Sequence, residues 1–123
     1  IFDSNYHFIT NLNRGIIPNY KHPVKIGKGC WICNSSTIAC GTTLPDYTIV
    51  ASNSVVNKDL SHIAKGSLIG GIPAKVITEG TRRIFNSRVE QQVEAFYKAN
   101  PLSEYKIDES IDIEEYSRLD NLK

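Results

Sequence analysis

Between residues 26 and 56 an aliphatic side chain recurs every six positions, at Ile26, Ile32, Ile38, Leu44, Val50 and Val56. These residues open the hexapeptides IGKGCW, ICNSST, IACGTT, LPDYTI, VASNSV and VNKDLS. The fifth slot of the first five units is also restricted, to Cys30, Ser36, Thr42, Thr48 and Ser54. A helix of 3.6 residues per turn would carry every sixth residue around its axis, and a hairpin strand would alternate with period two. Neither keeps this pattern on one face. A period of six predicts a parallel β-helix, in which each hexapeptide makes one short strand and one corner. Three hexapeptides complete a triangular coil, so residues 18 apart should stack: Ile26 beneath Leu44, Ile32 beneath Val50, Ile38 beneath Val56. Successive coils become parallel neighbours about 4.8 Å apart. The fifth-slot residues should turn inward at the corners, with Cys30 beneath Thr48 and Ser36 beneath Ser54.

The flanks depart from the period. Residues 1–9 read as an extended segment with apolar Ile1, Phe2, Phe8 and Ile9. Residues 10–23, TNLNRGIIPNYKHP, break the repeat with Asn, Gly and Pro and predict a protruding loop; loops of this length in a compact fold are usually functional. Residues 60–78 resume the period with Ile63 and Ile69, then close it with Gly70-Gly71 and Pro73. Residues 84–99 place Ile84, Phe85, Val89, Val93, Phe96 and Tyr97 on one helical stripe, with Asn86 or Ser87 as N-cap and Asn100-Pro101 as the stop. Residues 102–123 read either as a short acidic helix or as a partly disordered tail. The expected organisation is a solenoid domain over 1–78 and a helical, acidic extension over 79–123.

Charge and cysteines narrow the chemistry. Residues 1–99 carry eleven Lys/Arg against six Asp/Glu, and residues 100–123 carry three against seven. A basic body suits an anionic small ligand, while the absence of clustered basic residues interleaved with aromatic platforms argues against nucleic acid. Cys30, Cys33 and Cys40 fall at different slots of their units, so their side chains should point in different directions, and no histidine lies within 24–59 to complete a metal site. Three reduced cysteines and no long apolar run suit a cytoplasmic protein with no membrane partner. Six aliphatics are too few to offset the ordering of 36 residues. Further coils before Ile1, caps at both ends and subunit contacts are therefore expected.

The run WICNSSTIACGTTLPDYTIVASNSVVNKD followed by GGIPAKVI resembles the hexapeptide-repeat acyltransferases, most closely the maltose, galactoside and nodulation-type sugar O-acetyltransferases. The resemblance covers residues 1–78. It implies a left-handed parallel β-helix, a homotrimer, and transfer of an acetyl group from acetyl-CoA to a sugar or polysaccharide hydroxyl. In that subgroup a D-S-x-x-H-x-I segment before the loop supplies the catalytic histidine; here it reads Asp3 to Ile9, with His7 in that place. The chemistry suits an imidazole, because a sugar hydroxyl is a poor nucleophile and an unperturbed histidine titrates near about 6.5. Asp3 would orient His7 or contact the acceptor, and His22 could border it. The positions matching the family's CoA groove are Asn34, Ala51, Asn57, Lys58 and Lys75, with the two lysines as phosphate partners. The family has an aromatic where Trp31 stands. It commonly has Gly in place of Cys33 and Asn53, Thr in place of Asn57, and a basic residue in place of Thr78.

Two other functions share this fold class. A non-catalytic β-helix could serve as a scaffold or binding module. A γ-carbonic-anhydrase-like zinc enzyme would need three converging histidines, and His7, His22 and His62 all lie outside the regular repeats.

Overall fold

The computed structural model of the chain describes residues 1–4 and 6–118. Contacts divide the chain into two compact units, Ile1–Thr81 and Arg82–Lys123.

In the first unit the hexapeptides form two-residue strands: β1 (Lys25–Ile26), β2 (Trp31–Ile32), β3 (Thr37–Ile38), β4 (Thr43–Leu44), β5 (Ile49–Val50) and β6 (Val55–Val56). They pair in parallel as β1 with β4, β2 with β5 and β3 with β6, in the register Ile26–Leu44, Ile32–Val50 and Ile38–Val56. Each partner lies 18 residues on, so one coil consumes three hexapeptides and the aliphatics stack in three columns. Burial deepens up the stack. Ile26 is 40% exposed, whereas Ile38, Leu44, Val50 and Val56 are at most 2% exposed.

The fifth slot is interior because each corner must pass under the next. Thr42, Thr48 and Ser54 are buried. Their polar atoms are satisfied along the coil: Thr42 Oγ1 donates to the Val56 carbonyl at 3.2 Å and Thr48 Oγ1 to that of Pro45 at 2.7 Å. The Ser54 amide reaches Ser36 Oγ at 3.4 Å, and the Ser54 hydroxyl oxygen accepts from the Gly71 amide at 3.2 Å. Small hydroxyls here replace the ladder bonds that a corner cannot make.

A second restricted slot was hidden in the sequence. The fourth residue of each of the first five units, Gly29, Ser35, Gly41, Tyr47 and Asn53, has a positive φ between 58° and 80°. Left-handed backbone at this slot turns every corner, yet only two of the five are glycine. Gly29 is constrained twice, because a Cβ there would lie 2.6 Å from Cδ1 of Tyr47 on the coil above. At Gly41 a Cβ would meet only the His22 Cβ, at an ordinary 3.6 Å. Gly41→Ala is expected to cost the left-handed penalty of about 1–2 kcal/mol, and Gly29→Ala clearly more. Urea unfolding of the two variants measures the difference, and equal losses would refute the Tyr47 contact.

The period fails after β6. Asp59 bridges to Thr43, the Leu60 amide donates to the Thr43 carbonyl at 3.0 Å, and buried Leu60 joins the core. Leu60, rather than the expected Ile63, resumes the column; Ile63 packs against the core from the side and remains partly exposed. Residues 61–66 then form a loop, and β7 (Leu68–Gly71) rejoins the stack with Ile69 beside Val50, 19 residues on. The closing segment folds back: β8 (Ala74–Thr78) pairs antiparallel with β7 across a turn containing the cis Ile72–Pro73 bond.

Below β3, Phe2 donates its amide to the Ile38 carbonyl at 3.0 Å, so residues 1 and 2 extend the third column downward. The extended segment expected over 1–9 ends there. Ser4 bridges antiparallel to Lys21, Asn11 to Ile16, and Tyr6 takes a φ of 65°. The protrusion is thus a hairpin-like arm that begins at Asp3, closed near its middle by Phe8 packed edge-on against Tyr20, with ring centroids 4.4 Å apart.

In the second unit the helical stripe forms α1 (Ser87–Ala99), capped by Asn86, whose Oδ1 accepts from the amides of Arg88 and Val89. Ile84 and Phe85 precede the cap. Val89, Val93 and Phe96 are half-buried, and Phe96 meets Tyr105 edge-on at 5.3 Å. A short α2 (Ile113–Ser117) follows, with Asp112 as its cap, and the expectation for the tail beyond Arg118 lies outside the described residues.

Candidate active site

Two corners of the coil collect the candidate residues. The first follows the β2/β5 column. Asn34 is exposed there, its Oδ1 accepting from Ser52 Oγ at 2.6 Å and its carbonyl from the Asn53 amide at 3.2 Å one coil up. Ala51 tops this corner, its amide bonded to the Ile69 carbonyl at 2.9 Å and its carbonyl accepting from Ser36 Oγ at 2.9 Å. Lys75 on β8 pairs with Gly70, and a Cβ at Gly70 would stand 3.0 Å from that of Ala51. Bare glycine lets the closing hairpin descend onto Ala51, which brings exposed Lys75 to the same corner as Asn34.

The second corner follows the β3/β6 column. Exposed Asn57 and Lys58 come directly after β6, over the Cys40–Gly41 corner one coil below. The arm is rooted at this corner. The His22 carbonyl accepts from the Gly41 amide at 3.3 Å, the His22 amide donates to the Asp3 carbonyl at 3.0 Å, and the His22 ring contacts the Asn19 carbonyl at 2.9 Å. The anchoring role of His22 was not readable from sequence, since it works through backbone groups and the glycine opposite. Asp3 sits at the root and His7 four residues out, both exposed. Tyr6, left-handed and bonded through its amide to Ser4 Oγ at 3.0 Å, turns the chain just before His7. Within one chain, Asn34, Ala51 and Lys75 thus follow the β2/β5 column, Asn57 and Lys58 follow the β3/β6 column, and Asp3 is tied through His22 to Gly41 at the root of the arm that carries His7.

The Asp59 carboxyl is held below the usual range, chiefly by the hydrogen bond from the Ser61 amide and also by its hydroxyl. Burial pushes the Cys30 thiol up, and its Sγ donates to the Pro45 carbonyl at 3.2 Å, so it is a poor source of thiolate. Among the described residues no three His, Cys, Asp or Glu side chains gather as metal ligands, and no helix is long and apolar enough to cross a membrane. His62 is exposed in the 61–66 loop, and Trp31, 40% exposed, pairs with Ile49.

The fold is similar to that of known acetyltransferases. Sixty residues, 49% of this chain, are 33% identical to the galactoside O-acetyltransferase of Escherichia coli strain K12 and cover 28% of it. The polySia-specific acetyltransferase NeuO superposes with a TM-score of 0.61 at 18% identity, over 86% of this chain and 47% of that one. The polysialic acid O-acetyltransferase OatWY gives 0.60 at 22% identity, over 92% and 43%. No family model matches. The chain is similar to a galactoside O-acetyltransferase over that stretch of sequence, and its fold is similar to that of the two solved acetyltransferases. It spans less than half the length of these relatives.

Proposed function

We propose that the chain is the acetyl-transferring core of an acetyl-CoA-dependent sugar or polysaccharide O-acetyltransferase, wound as a left-handed parallel β-helix and working as a homotrimer. The observation that carries this is the 18-residue parallel stack joined to sequence identity with a galactoside O-acetyltransferase. The separation of the candidate residues supports the trimer. Two corners of one triangular coil face apart, but the first corner of one subunit can meet the second corner of the next. A complete site then needs two chains.

In this reading the acyl donor lies against Asn34, Ala51, Asn57, Lys58 and Lys75. The donor set suits it: two exposed ammonium groups for phosphates and two amides for hydrogen bonds. Acetyl-CoA supplies the activated thioester carbonyl. His7 takes the proton from the sugar hydroxyl as its oxygen bonds to that carbonyl carbon; the carbon–sulfur bond breaks and the proton passes to the departing thiolate. Asp3 orients His7, and the left-handed turn at Tyr6 supports a positioned role, because such backbone in a bulky residue is uncommon away from tight turns and functional sites.

Acetyl transfer to a panel of sugars, measured by thiol release, tests the reading; the absence of transfer to every acceptor would sink it. Lys75→Ala is expected to raise the KM for acetyl-CoA by about two- to fivefold with kcat unchanged, the weight of one exposed ion pair. An unchanged KM would remove Lys75 from the phosphate site.

A further inference from the structure

We propose that the second unit carries a small-molecule site of its own, a cleft for an organic ammonium ion with an apolar body. The site goes beyond the transferase reading and does not depend on it, because every lining residue lies within Arg82–Lys123. The cleft forms where the chain returns along α1. Asn86, Val89 and Gln92 fall at intervals of three along the start of that helix and so share one face of it. The returning segment is fastened at both ends. At one end the Tyr105 amide donates to the Tyr97 hydroxyl oxygen at 2.9 Å. At the other, the Tyr116 carbonyl accepts from the Phe85 amide at 3.1 Å, and Asn86 Nδ2 donates to the Glu115 carbonyl at 3.3 Å. Between these points lies a cleft of about 260 Å³.

One buried group in it lacks a partner. Tyr116 lines the cleft although only 5% exposed, and its hydroxyl makes no hydrogen bond among the described residues. A phenol buried to that degree ordinarily has a partner, and leaving it without one is costly. A donor that enters the cleft supplies one, because the phenol oxygen accepts.

The rest of the lining sets the sign of that donor. Asp108 and Glu115 both line the cleft and are exposed, and among the described residues no Lys, Arg or His does so. The Asp108 carboxyl is held below the usual range by hydrogen bonds from the Ser110 hydroxyl and amide, so it stays charged. The Glu115 carboxylate has no hydrogen bond or ion pair among the described residues. An anion would have to turn to the first amides of α1, but Asn86 Oδ1 already accepts from those of Arg88 and Val89. Half-buried Val89 and Tyr105, with Ile111, supply an apolar wall, and a tyrosine face attracts a cation further. A cationic head on an apolar body matches this lining, and a neutral or anionic head leaves the carboxylates unanswered.

The test titrates phenethylammonium, with phenethyl alcohol and hydrocinnamate as its neutral and anionic counterparts, into the intact chain and follows amide chemical shifts. The ammonium is expected to bind with a dissociation constant of about a millimolar or below, the range for so small a ligand. It should bind at least about tenfold more tightly than either counterpart and shift the amides of Val89, Tyr105 and Glu115. Tyr116→Phe keeps the ring and removes only the hydroxyl, and is expected to weaken binding about three- to tenfold. Glu115→Gln changes an exposed side chain and leaves the carbonyl that meets Asn86, and is expected to weaken binding about two- to fivefold. Unchanged amide shifts away from the cleft confirm that both variants fold. An alcohol that binds as tightly as the ammonium overturns the proposal, as do shifts confined to other residues. Failure of the ammonium to bind overturns it too, as do two folded variants that both bind like the wild type. Acetyl transfer enters none of these readouts, so its failure leaves the cleft standing, and an empty cleft leaves the transferase reading standing.

Discussion

Replacing His7 with alanine is expected to lower kcat by about 10²–10⁴-fold, the usual contribution of a general base. The KM for acetyl-CoA should stay within about twofold, because a group that takes the proton of the sugar hydroxyl adds no uniform binding of the donor. The melting temperature should not move, since His7 is exposed and outside the core cluster. Asp3→Asn provides the control for positioning. It keeps the size of the side chain and removes the charge, so it should lower kcat less than His7→Ala does. A His7→Ala enzyme that retains wild-type kcat would remove His7 from the mechanism and move the search to His22, the other histidine at the root of the arm.

How far the sequence could be read depended on whether the information repeats. The columns of Ile26, Ile32 and Ile38 beneath Leu44, Val50 and Val56 were legible because six nearly regular units state the same rule, and the register follows from counting. The left-handed fourth slot obeys an equally strict rule but was invisible, because Ser35, Tyr47 and Asn53 occupy it beside Gly29 and Gly41. Backbone geometry was conserved along the stack while side-chain identity was not. Tyr47 shows why: its ring covers Gly29 on the coil below, so bulk in one unit is matched by its absence in the previous one.

Irregular segments were harder for a related reason. Leu60 enters the core only four residues after Val56 and Ile69 nine after Leu60, so counting back six from Ile69 selects Ile63 instead. The antiparallel β7–β8 hairpin lies on a Gly-Gly and Pro segment that signals an end without saying how the chain turns. At the candidate site, residue identities came from the motif, but their grouping into two corners came only from the stacking.

The same stacking predicts an unequal response of the core. Ile38 is fully buried, with β6 above it and the Phe2 amide bonded to its carbonyl from below, so the chain lies on both sides of it in its column. Truncating it removes contacts that the coil cannot close over, because the ladder fixes the spacing of its neighbours. Ile38→Ala is expected to destabilise by about 2–5 kcal/mol, the range for large-to-alanine changes in packed cores. Against a total of about 5–15 kcal/mol for ordinary domains, that is enough to unfold a marginal one. Ile26 occupies the same slot of its hexapeptide, but β1 pairs only with β4 and the side chain is 40% exposed. Ile26→Ala should cost less than half as much, because much of its surface already faces water. Urea unfolding of the two variants at one protein concentration, and again at a tenfold higher one, separates the possible causes. A large loss at Ile26 that grows as the protein is diluted would mean that a neighbouring chain covers the lower coil. A large loss independent of concentration would overturn the gradient of burial along the stack, and with it the view that the lowest column is the weakest part of this core.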